Sequence, residues 1–334
     1  MKRDKIISDG GNDPSLWMVE SMAVPPEMHG ARLDVAAARL FDRHSRARLQ
    51  RWIADGHLRV NTRVTTVTRA RVRAGDELRL KAPRPVSSVD PAQAMALDLR
   101  YEDESLIVVN KPAGLSVHPG AGRPDGTLLN ALLHRYPRAR TLPRAGLVHR
   151  LDMDTTGLMV IALSETAHAR LVEMMERRQV RREYDAVVIG LIPAGGTVRA
   201  AVGRHPRDRV KMAVVPRGKP AVTHYRVVER FAEHTHLRLK LETGRTHQIR
   251  VHMAYVRHPV VGDPVYGGRV VRGAGMPEDL RRQLATFPRQ ALHARELEFA
   301  HPITRARVAV SSEPPEDMQA LLRALREHSR TPGG

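Results

Sequence analysis

Residues 148–157 contain an arginine, Arg150, two positions before a carboxylate, Asp152, and lead into the apolar residues 158–162. An apolar run of this length predicts a buried strand, so the two charged residues lie on the loop that enters it. A carboxylate held among cations stays ionised and can act as a nucleophile or a base. A lone aspartate at such a position is more often a turn or capping residue. The other residues of the chain decide between these interpretations.

Two later segments carry further residues that could do chemistry. Tyr184 lies within residues 180–190, whose alternating pattern predicts a strand. Arg245 precedes residues 246–256, where apolar side chains recur at helical spacing. Taken singly, Tyr184 is explained as a half-buried strand tyrosine and Arg245 as a surface partner for an acid. Their occurrence in one chain with Asp152 favours an active site.

The charge of the chain predicts the class of its partner. The sequence has 55 Lys and Arg residues against 36 Asp and Glu residues, a net charge of +19, and only seven of the basic residues are lysine. Such an excess predicts a polyanion, of which nucleic acid is the commonest. A genome rich in G and C favours arginine over lysine, but it does not produce a net surplus of this size.

Several classes of protein and of site are excluded by absent motifs. The sequence has no cysteine, which excludes disulfides and thiolate chemistry and fits a reducing cytoplasm. No apolar run approaches the roughly 18 residues of a membrane span, and the N-terminal residues lack the apolar core of a secretory signal. The glycine-rich residues 120–126 lack the P-loop lysine, the histidine pairs lack zinc-hydrolase spacing, and no serine has a G-x-S-x-G setting. We expect no metal.

The length predicts about two domains. We expect a flexible leader over residues 1–20, a small module over 21–82, a linker over 83–96, a larger domain over 97–316, and a C-terminal helix with a frayed tail over 317–334. Within the larger domain, residues 105–110, 180–190, 222–229 and 236–242 predict strands, and residues 165–178 predict an amphipathic helix. Strands and helices mix without regular alternation, which predicts an α+β fold.

The small module is strongly basic. Between residues 31 and 80 it has twelve arginines and five acidic residues. A first helix begins near Leu33, and Ser45 is expected to cap a second helix that runs to residue 55 and ends at Gly56. Arg48 and Arg51 are three residues apart and share one face of that helix, whereas Arg46 points elsewhere.

This module resembles an S4 RNA-binding domain, on the strength of residues 32–34, 45–46 and 60–61, together with Ile53, Gly56 and the closing residues 74–76. The resemblance implies RNA binding, mainly through phosphates and shape. The candidate RNA contacts that follow from charge and resemblance are Arg32, Ser45, Arg46, Arg48, Arg51 and Asn61.

From residue 101 to residue 310 the chain resembles the RluA family of pseudouridine synthases. Four segments carry the resemblance: residues 111–119, 149–157, 182–184 and 243–250. It implies the pseudouridine synthase fold, a mixed and largely antiparallel sheet with flanking helices, preceded here by a small S4-like α/β module. Residues 154–156 and 118–122 look like the RluD-type branch, which modifies the helix 69 stem-loop of large-subunit (23S) ribosomal RNA.

The resemblance also implies roles for the residues singled out above. Asp152 would be the catalytic carboxylate, either as a nucleophile at C1′ or as a base at C2′, and the sequence does not choose between them. Arg245 would pair with Asp152, and Tyr184 would stack on the uracil. Arg150 would fill the space that the flipped base leaves, and Leu241 and Ile249 would wall the pocket. The isomerisation adds and oxidises nothing, so no cofactor is expected.

Alternative functions remain open at this point. Within enzymes, the same reaction on transfer RNA or another ribosomal site is the main alternative. From a different class, the chain could be an RNA-binding ribosome assembly factor without catalysis, although retention of Asp152, Tyr184 and Arg245 disfavours that interpretation. The expected partner is 23S rRNA or a large-subunit assembly particle, with no DNA and no membrane, and the protein is expected to be a cytoplasmic monomer.

Overall fold

A computed structural model describes residues 17–42, 44, 46–83, 90–120, 123–208, 210–269 and 276–330. The chain divides into two compact units, residues 1–89 and 90–334, and each is described by itself. None of the helices in these ranges combines the length and the apolar composition needed to cross a membrane.

The first unit packs two helices on a four-stranded antiparallel sheet. Its elements are β1 (Trp17–Ala23), α1 (Leu33–Leu40), α2 (Arg46–Ala54), β2 (Leu58–Val60), β3 (Arg63–Val64) and β4 (Glu77–Pro83). The strand order is β1-β4-β2-β3. Leu33, Leu49 and Ile53 from the helices are fully buried against Leu58 and Leu78 of the sheet. Both predicted helices are therefore confirmed, and their apolar faces form the core of this unit.

Two details of this unit bear on the predictions. Gly56 follows α2 with a φ of 80°, the left-handed conformation expected at the end of a helix. The flexible leader predicted over residues 1–20 is wrong at its C-terminal end, because Trp17 pairs with Pro83 and β1 runs the full length of β4. Strand β1, with the sequence WMVESMA, lacks the alternation of apolar and polar residues that indicates a strand, so this element has no local signal. Residues 1–16 and Ser45 lie outside the described residues.

The second unit is built on a nine-stranded sheet with helices on its faces. The strands of this sheet are β5 (Leu99–Glu102), β6 (Leu106–Lys111), β7 (Thr156–Ala162), β8 (Arg181–Ile189), β9 (Gly196–Arg199), β12 (Val222–Arg230), β13 (His234–Leu241), β14 (Leu292–Ala300) and β15 (Arg307–Ser311). Strands β10 (Val202–Arg204) and β11 (Met212–Val214) form a separate hairpin. The helices are α3 (Leu128–Arg135), α4 (Glu165–Glu176), α5 (Gln248–Tyr255), α6 (Glu278–Ala285) and α7 (Glu316–Arg330).

The order of the large sheet is β5-β6-β7-β14-β8-β13-β12-β9, with β15 beside β14. Every pairing is antiparallel except that of β7 with β14. The mixed, largely antiparallel α+β architecture is confirmed. Successive side chains of a strand face opposite sides, and in β6 Ile107 and Val109 face the larger core while Leu106 and Val108 pack toward α4.

Both described ends of the second unit pack on the rest of it, whereas the sequence predicts a linker before it and a separate helix after it. The linker was expected to extend to residue 96, but the side chain of Asn130 donates to Pro91 O at 2.8 Å and Gln93 Oε1 accepts a hydrogen bond from Gly126 N at 2.7 Å. Its second half is therefore attached to the start of α3. Helix α7 is also part of the main core, since Met318 and Leu321 are fully buried in it.

Candidate active site

Asp152 lies on the loop between a short 3-10 turn (Pro143–Gly146) and β7, as the sequence predicts. The backbone carbonyl of Asp152 accepts a hydrogen bond from Thr155 N at 3.1 Å, which makes the loop a tight turn. Beyond the turn, Gly157 has a φ of 112°, and a Cβ there would lie 2.2 Å from the backbone oxygen of Ala294. Only glycine, which has no Cβ, allows β7 to approach β14 this closely. Gly157 therefore determines the position at which the chain leaves the loop and enters β7.

The buried side chain of Lys111 and the half-buried side chain of His149 hold this loop in place. The Nζ of Lys111 donates hydrogen bonds to the backbone oxygens of Pro112, Leu115 and Met153 at 2.7, 3.0 and 2.7 Å. His149 Nε2 accepts a hydrogen bond from Val160 N at 3.0 Å. An ammonium group with three acceptors has all its protons used. Lys111 therefore orients the loop and is not directed at substrate.

Burial shifts the pKa of both groups. It lowers the pKa of Lys111 to about 7, although the charges of Asp154 and Asp152 act in the opposite direction. Burial, assisted by the charge of Arg182, lowers the pKa of His149 to about 3. His149 is therefore neutral near pH 7, and its role as an acceptor requires its ring proton on Nδ1.

The ion-pair partner of Asp152 is Arg250. Its Nη1 donates to Asp152 Oδ2 at 2.9 Å. The rest of the guanidinium is bound by Asp263, with Nε on Oδ2 at 2.7 Å and Nη2 on Oδ1 at 2.9 Å. Arg250 thus bridges two carboxylates, and the bidentate pairing with Asp263 fixes its orientation. Burial alone would lower the pKa of Arg250, but Asp263 and Asp152 raise it above its ordinary value.

The predicted pairing of Arg245 with Asp152 is wrong. Arg245 Nε donates to Pro220 O at 3.1 Å, and its backbone N–H donates to Gln248 Oε1 at 3.0 Å. Gln248, the first residue of α5, also binds Thr243 and the neighbouring strand β12. The loop 243–247 is consequently folded back on the helix, which turns Arg250 and not Arg245 toward Asp152.

The two carboxylate oxygens of Asp152 have different environments, because Arg250 binds Oδ2 and not Oδ1. His247 Nε2 lies 3.8 Å from Oδ1, which is beyond hydrogen-bonding distance. His247 lies in the left-handed conformation, with a φ of 56°, and its Nδ1 is 2.8 Å from the hydroxyl of Tyr266. Oδ1 therefore remains accessible to a ligand in the cavity, while Arg250 holds Oδ2.

Tyr184 is on β8 and is 5% exposed. Burial raises the pKa of its hydroxyl; the cation of Arg182 acts against that shift and the charge of Asp152 adds to it. The side chain is therefore a neutral phenol at ordinary pH. Arg182 and Tyr184 are two residues apart on one strand and so share a face.

One cavity of about 530 Å³ is lined by all six residues of the second unit that were predicted to form the active site. Those residues are Arg150, Asp152, Tyr184, Leu241, Arg245 and Ile249. Leu241 and Ile249, which are 8% and 4% exposed, contribute apolar wall. Arg144, Arg150 and Arg178 line the same cavity with exposed side chains. The cavity therefore offers an aromatic ring and a carboxylate inside and a cationic surface outside.

The candidate RNA contacts of the first unit divide into two groups. Arg32 and Arg46 both donate to the fully buried carboxylate of Asp34, at 2.9 and 2.7 Å, and Asn61 bonds Asp76 and the backbone of Glu77. Burial opposes ionisation of Asp34, but hydrogen bonds from Arg46, Arg32 and Gln50 hold its pKa well below the ordinary value. These three predicted contacts therefore have structural partners. Arg48 and Arg51 are exposed on α2, and Arg48 lies 5.8 Å from the ring centroid of Trp52.

The sequence does not assign Arg250, because its motif holds two arginines and only the packing of α5 shows which of them is enclosed. Ile249, Val251 and Met253 beside Arg250 are all buried, so α5 has little solvent-facing surface. An arginine within such a helix requires an internal carboxylate. Asp263, which supplies that carboxylate, carries no sequence signal either, because it lies in a turn where aspartate is ordinary.

Comparison with known proteins identifies the family. Residues 105–255 match the family described as RNA pseudouridylate synthase, and residues 31–78 match the S4 domain. The chain is 54% identical over 304 residues to ribosomal large subunit pseudouridine synthase D of Pseudomonas aeruginosa, which covers 91% of this chain and 95% of that one. The proteins of the same name from Vibrio parahaemolyticus and Escherichia coli K12 are each 52% identical, over 91% and 89% of this chain and 94% and 91% of theirs. The chain belongs to the RluD type of the RluA family of RNA pseudouridine synthases.

Two solved structures agree with this assignment. Human RNA pseudouridylate synthase domain containing 4 is 27% identical with a TM-score of 0.53, and the match covers 68% of this synthase and 92% of that chain. Human RNA pseudouridylate synthase domain containing 1 is 26% identical with a TM-score of 0.51, covering 73% and 99%. The predicted enzyme class and the predicted S4 domain of the synthase are confirmed.

Proposed function

We propose that the synthase isomerises uridines of the helix 69 stem-loop in large-subunit (23S) ribosomal RNA. The observation that carries the proposal is the single cavity lined by Asp152, which Arg250 holds, by the ring of Tyr184 and by exposed arginines. The choice of RNA is supported by the relatives named for the ribosomal large subunit, which align with about nine-tenths of this chain.

The cavity admits a nucleotide only after it leaves its stack. Flipping a base out of a stem-loop costs a few kcal/mol. Stacking of the base on an aromatic ring is worth about 1–3 kcal/mol, and Tyr184 is the aromatic side chain that lines this cavity. Arg150 is exposed at the rim, where its planar guanidinium can stack in the space that the base leaves. Contacts from the rim arginines to phosphates would supply the remaining binding free energy.

Asp152 is the group proposed to act on the ribose. Because Arg250 occupies Oδ2, the reacting oxygen is Oδ1, which faces the cavity. Oδ1 would either attack C1′, forming an ester as the N1–C1′ bond breaks, or remove a proton from C2′ as the uracil departs. Reattachment through C5 and loss of the C5 proton then give pseudouridine. The hydroxyl of Tyr184 is proposed to lie near that proton.

The test is a pseudouridine map of ribosomal RNA from a strain that lacks this chain. We expect modification at helix 69 to be lost and to return with the wild-type gene but not with Asp152→Asn, which keeps the shape of the side chain and removes its charge. Purified enzyme should also convert a helix 69 transcript and leave an unrelated stem-loop of equal length unmodified. Loss at another ribosomal site, or in transfer RNA only, would refute the proposed target.

A further inference from the structure

Arg182 is a buried cation for which the described part of the chain provides no carboxylate partner. Its side chain is 6% exposed, and Nε is enclosed without a hydrogen-bond acceptor. Among the described residues no carboxylate lies within ion-pair distance of its guanidinium, in contrast to Arg250, which has two. A buried charge without a counter-ion is costly, and proteins retain one mainly where a ligand completes it. Arg182 lines the active-site cavity.

The surroundings of Arg182 limit what can reach it. Tyr184 follows two residues later on the same face of β8, and Leu241 of β13 lines the cavity beside it. On the other side, a Cβ at Gly244 would lie 3.0 Å from Nη1, so the loop 243–247 passes directly over the guanidinium. A group that enters the cavity beside Tyr184 can therefore reach Arg182.

This position favours the base over the phosphate. Phosphates stay on the RNA backbone, and the exposed cations Arg144 and Arg150 are placed at the rim to meet them, whereas Arg178 is paired with Glu242. The uracil is the part that enters. When the N1–C1′ bond breaks, its electron pair stays on the uracil, whose negative charge spreads over N1 and the two carbonyl oxygens. A positioned cation in a water-poor site stabilises charge that develops in the transition state.

We propose that Arg182 is a catalytic residue that donates hydrogen bonds to a carbonyl oxygen of the departing uracil and stabilises its negative charge. The charge is transient: when C5 bonds to C1′, the uracil electron pair becomes the new bond. The carboxylate of Asp152 is then released or the C2′ proton returned. C5 finally loses its proton and N1 gains one, so no other reactant is needed. The inference rests on the proposed function only for the choice of RNA.

The experiment compares uridine with 5-fluorouridine at the target position of the stem-loop, under single turnover, in the full-length enzyme. Fluorine withdraws electrons and makes the uracil a better leaving group that needs less stabilisation. Arg182→Met should lower the rate of glycosidic bond cleavage by about 10²- to 10³-fold with uridine. With 5-fluorouridine the loss should be at least tenfold smaller. Arg182→Lys keeps the charge and should retain more activity than Arg182→Met on both RNAs.

Arg181→Met is the matched control. Arg181 precedes Arg182 on β8, but it is paired with Glu183 and Glu298 and does not line the cavity. Its substitution should leave the rates on both RNAs within about twofold of wild type. Equal losses on the two RNAs for Arg182→Met, or wild-type activity of that variant, would overturn the proposal. If the wild-type enzyme leaves helix 69 unmodified, the target is wrong, and the comparison is made on the RNA that it does modify.

Discussion

Replacing Arg250 by methionine tests the arrangement of the active site most directly. The side chain is 5% exposed and makes three charge-assisted hydrogen bonds, two to Asp263 and one to Asp152. Methionine has similar length, but of the partners that the described residues give the fully buried carboxylate of Asp263 it leaves the backbone N–H groups of Val265 and Tyr266. Removing one partner of a buried ion pair costs about 3–5 kcal/mol. For a unit of this size we expect Tm to fall by about 6–20 °C.

The same substitution should impair catalysis for a separate reason. Without Arg250 the carboxylate of Asp152 loses the contact that fixes Oδ2, and a displacement of about 1 Å can cost about 10²-fold in rate. Single-turnover pseudouridine formation at saturating enzyme measures this loss. Adding Asp263→Asn to Arg250→Met removes the orphaned charge, so the double variant should regain stability while the rate stays low.

Arg245→Met is the control for this experiment, because it makes the same chemical change in the same motif. Arg245 binds the backbone oxygen of Pro220, and its guanidinium makes no ion pair among the described residues. We expect its substitution to change stability by less than about 1 kcal/mol and to weaken RNA affinity more than the saturated rate. Wild-type stability and rate for Arg250→Met, or a larger rate loss for Arg245→Met, would refute the assignment of the Asp152 partner.

Two further predictions concern parts of the molecule away from Asp152. Because the pKa of His149 is about 3 in the folded protein and 6.5 unfolded, the unfolded state takes up the proton first, and folding stability should fall as pH drops from 6.5 toward 3. His149→Gln should make that slope, measured by urea unfolding, shallower by up to about 1.4 kcal/mol per pH unit; an unchanged slope would show that the histidine is not buried neutral. In the S4 domain we expect Arg48 to contact an RNA phosphate. Arg48→Gln should therefore reduce the slope of log RNA affinity against log salt concentration by about one. Arg46→Gln should instead lower the stability of the domain, since it removes a partner of buried Asp34; the reverse pattern would contradict the division of roles.

The elements that carry the site could be predicted because each has a local signal. The runs of apolar residues in β7 and in the second half of β8 indicate strands, and apolar side chains at helical spacing indicate α4. Strand β14 alternates apolar and polar residues, but the alternation is interrupted between Ala294 and Glu296, where its pairing with β8 shifts register. Its buried His293 is satisfied by a distant residue, with Nδ1 2.8 Å from the hydroxyl of Thr156. Two short alternating pieces with a buried histidine are joined into one strand only once the neighbours in the sheet are known.

The choice between Arg245 and Arg250 could not be made from the sequence for a related reason. Both arginines lie in one motif, and which of them meets Asp152 depends on where the helix begins. The left-handed backbone at His247 and the hydrogen bonds of Gln248 set that start. Arg250 is then in the first turn of α5, directed inward, while Arg245 stays on the preceding loop. These are tertiary constraints, and no residue spacing encodes them.

Arg250 and Arg182 are both buried and line the same cavity, but among the described residues Arg250 alone of the two is paired with carboxylates. Replacing each of them by methionine should therefore affect the stability of the fold differently. Arg250 is neutralised by two carboxylates, so methionine there leaves an unpaired negative charge and destabilises the fold. Arg182 has no carboxylate partner within the described ranges, so Arg182→Met removes an uncompensated positive charge and should leave Tm unchanged or raise it. Both variants should nevertheless lose activity. Thermal unfolding of the two variants separates these cases: a large fall in Tm for Arg182→Met would show that the folded protein already satisfies this cation, and its proposed role toward the uracil would then lack its physical basis.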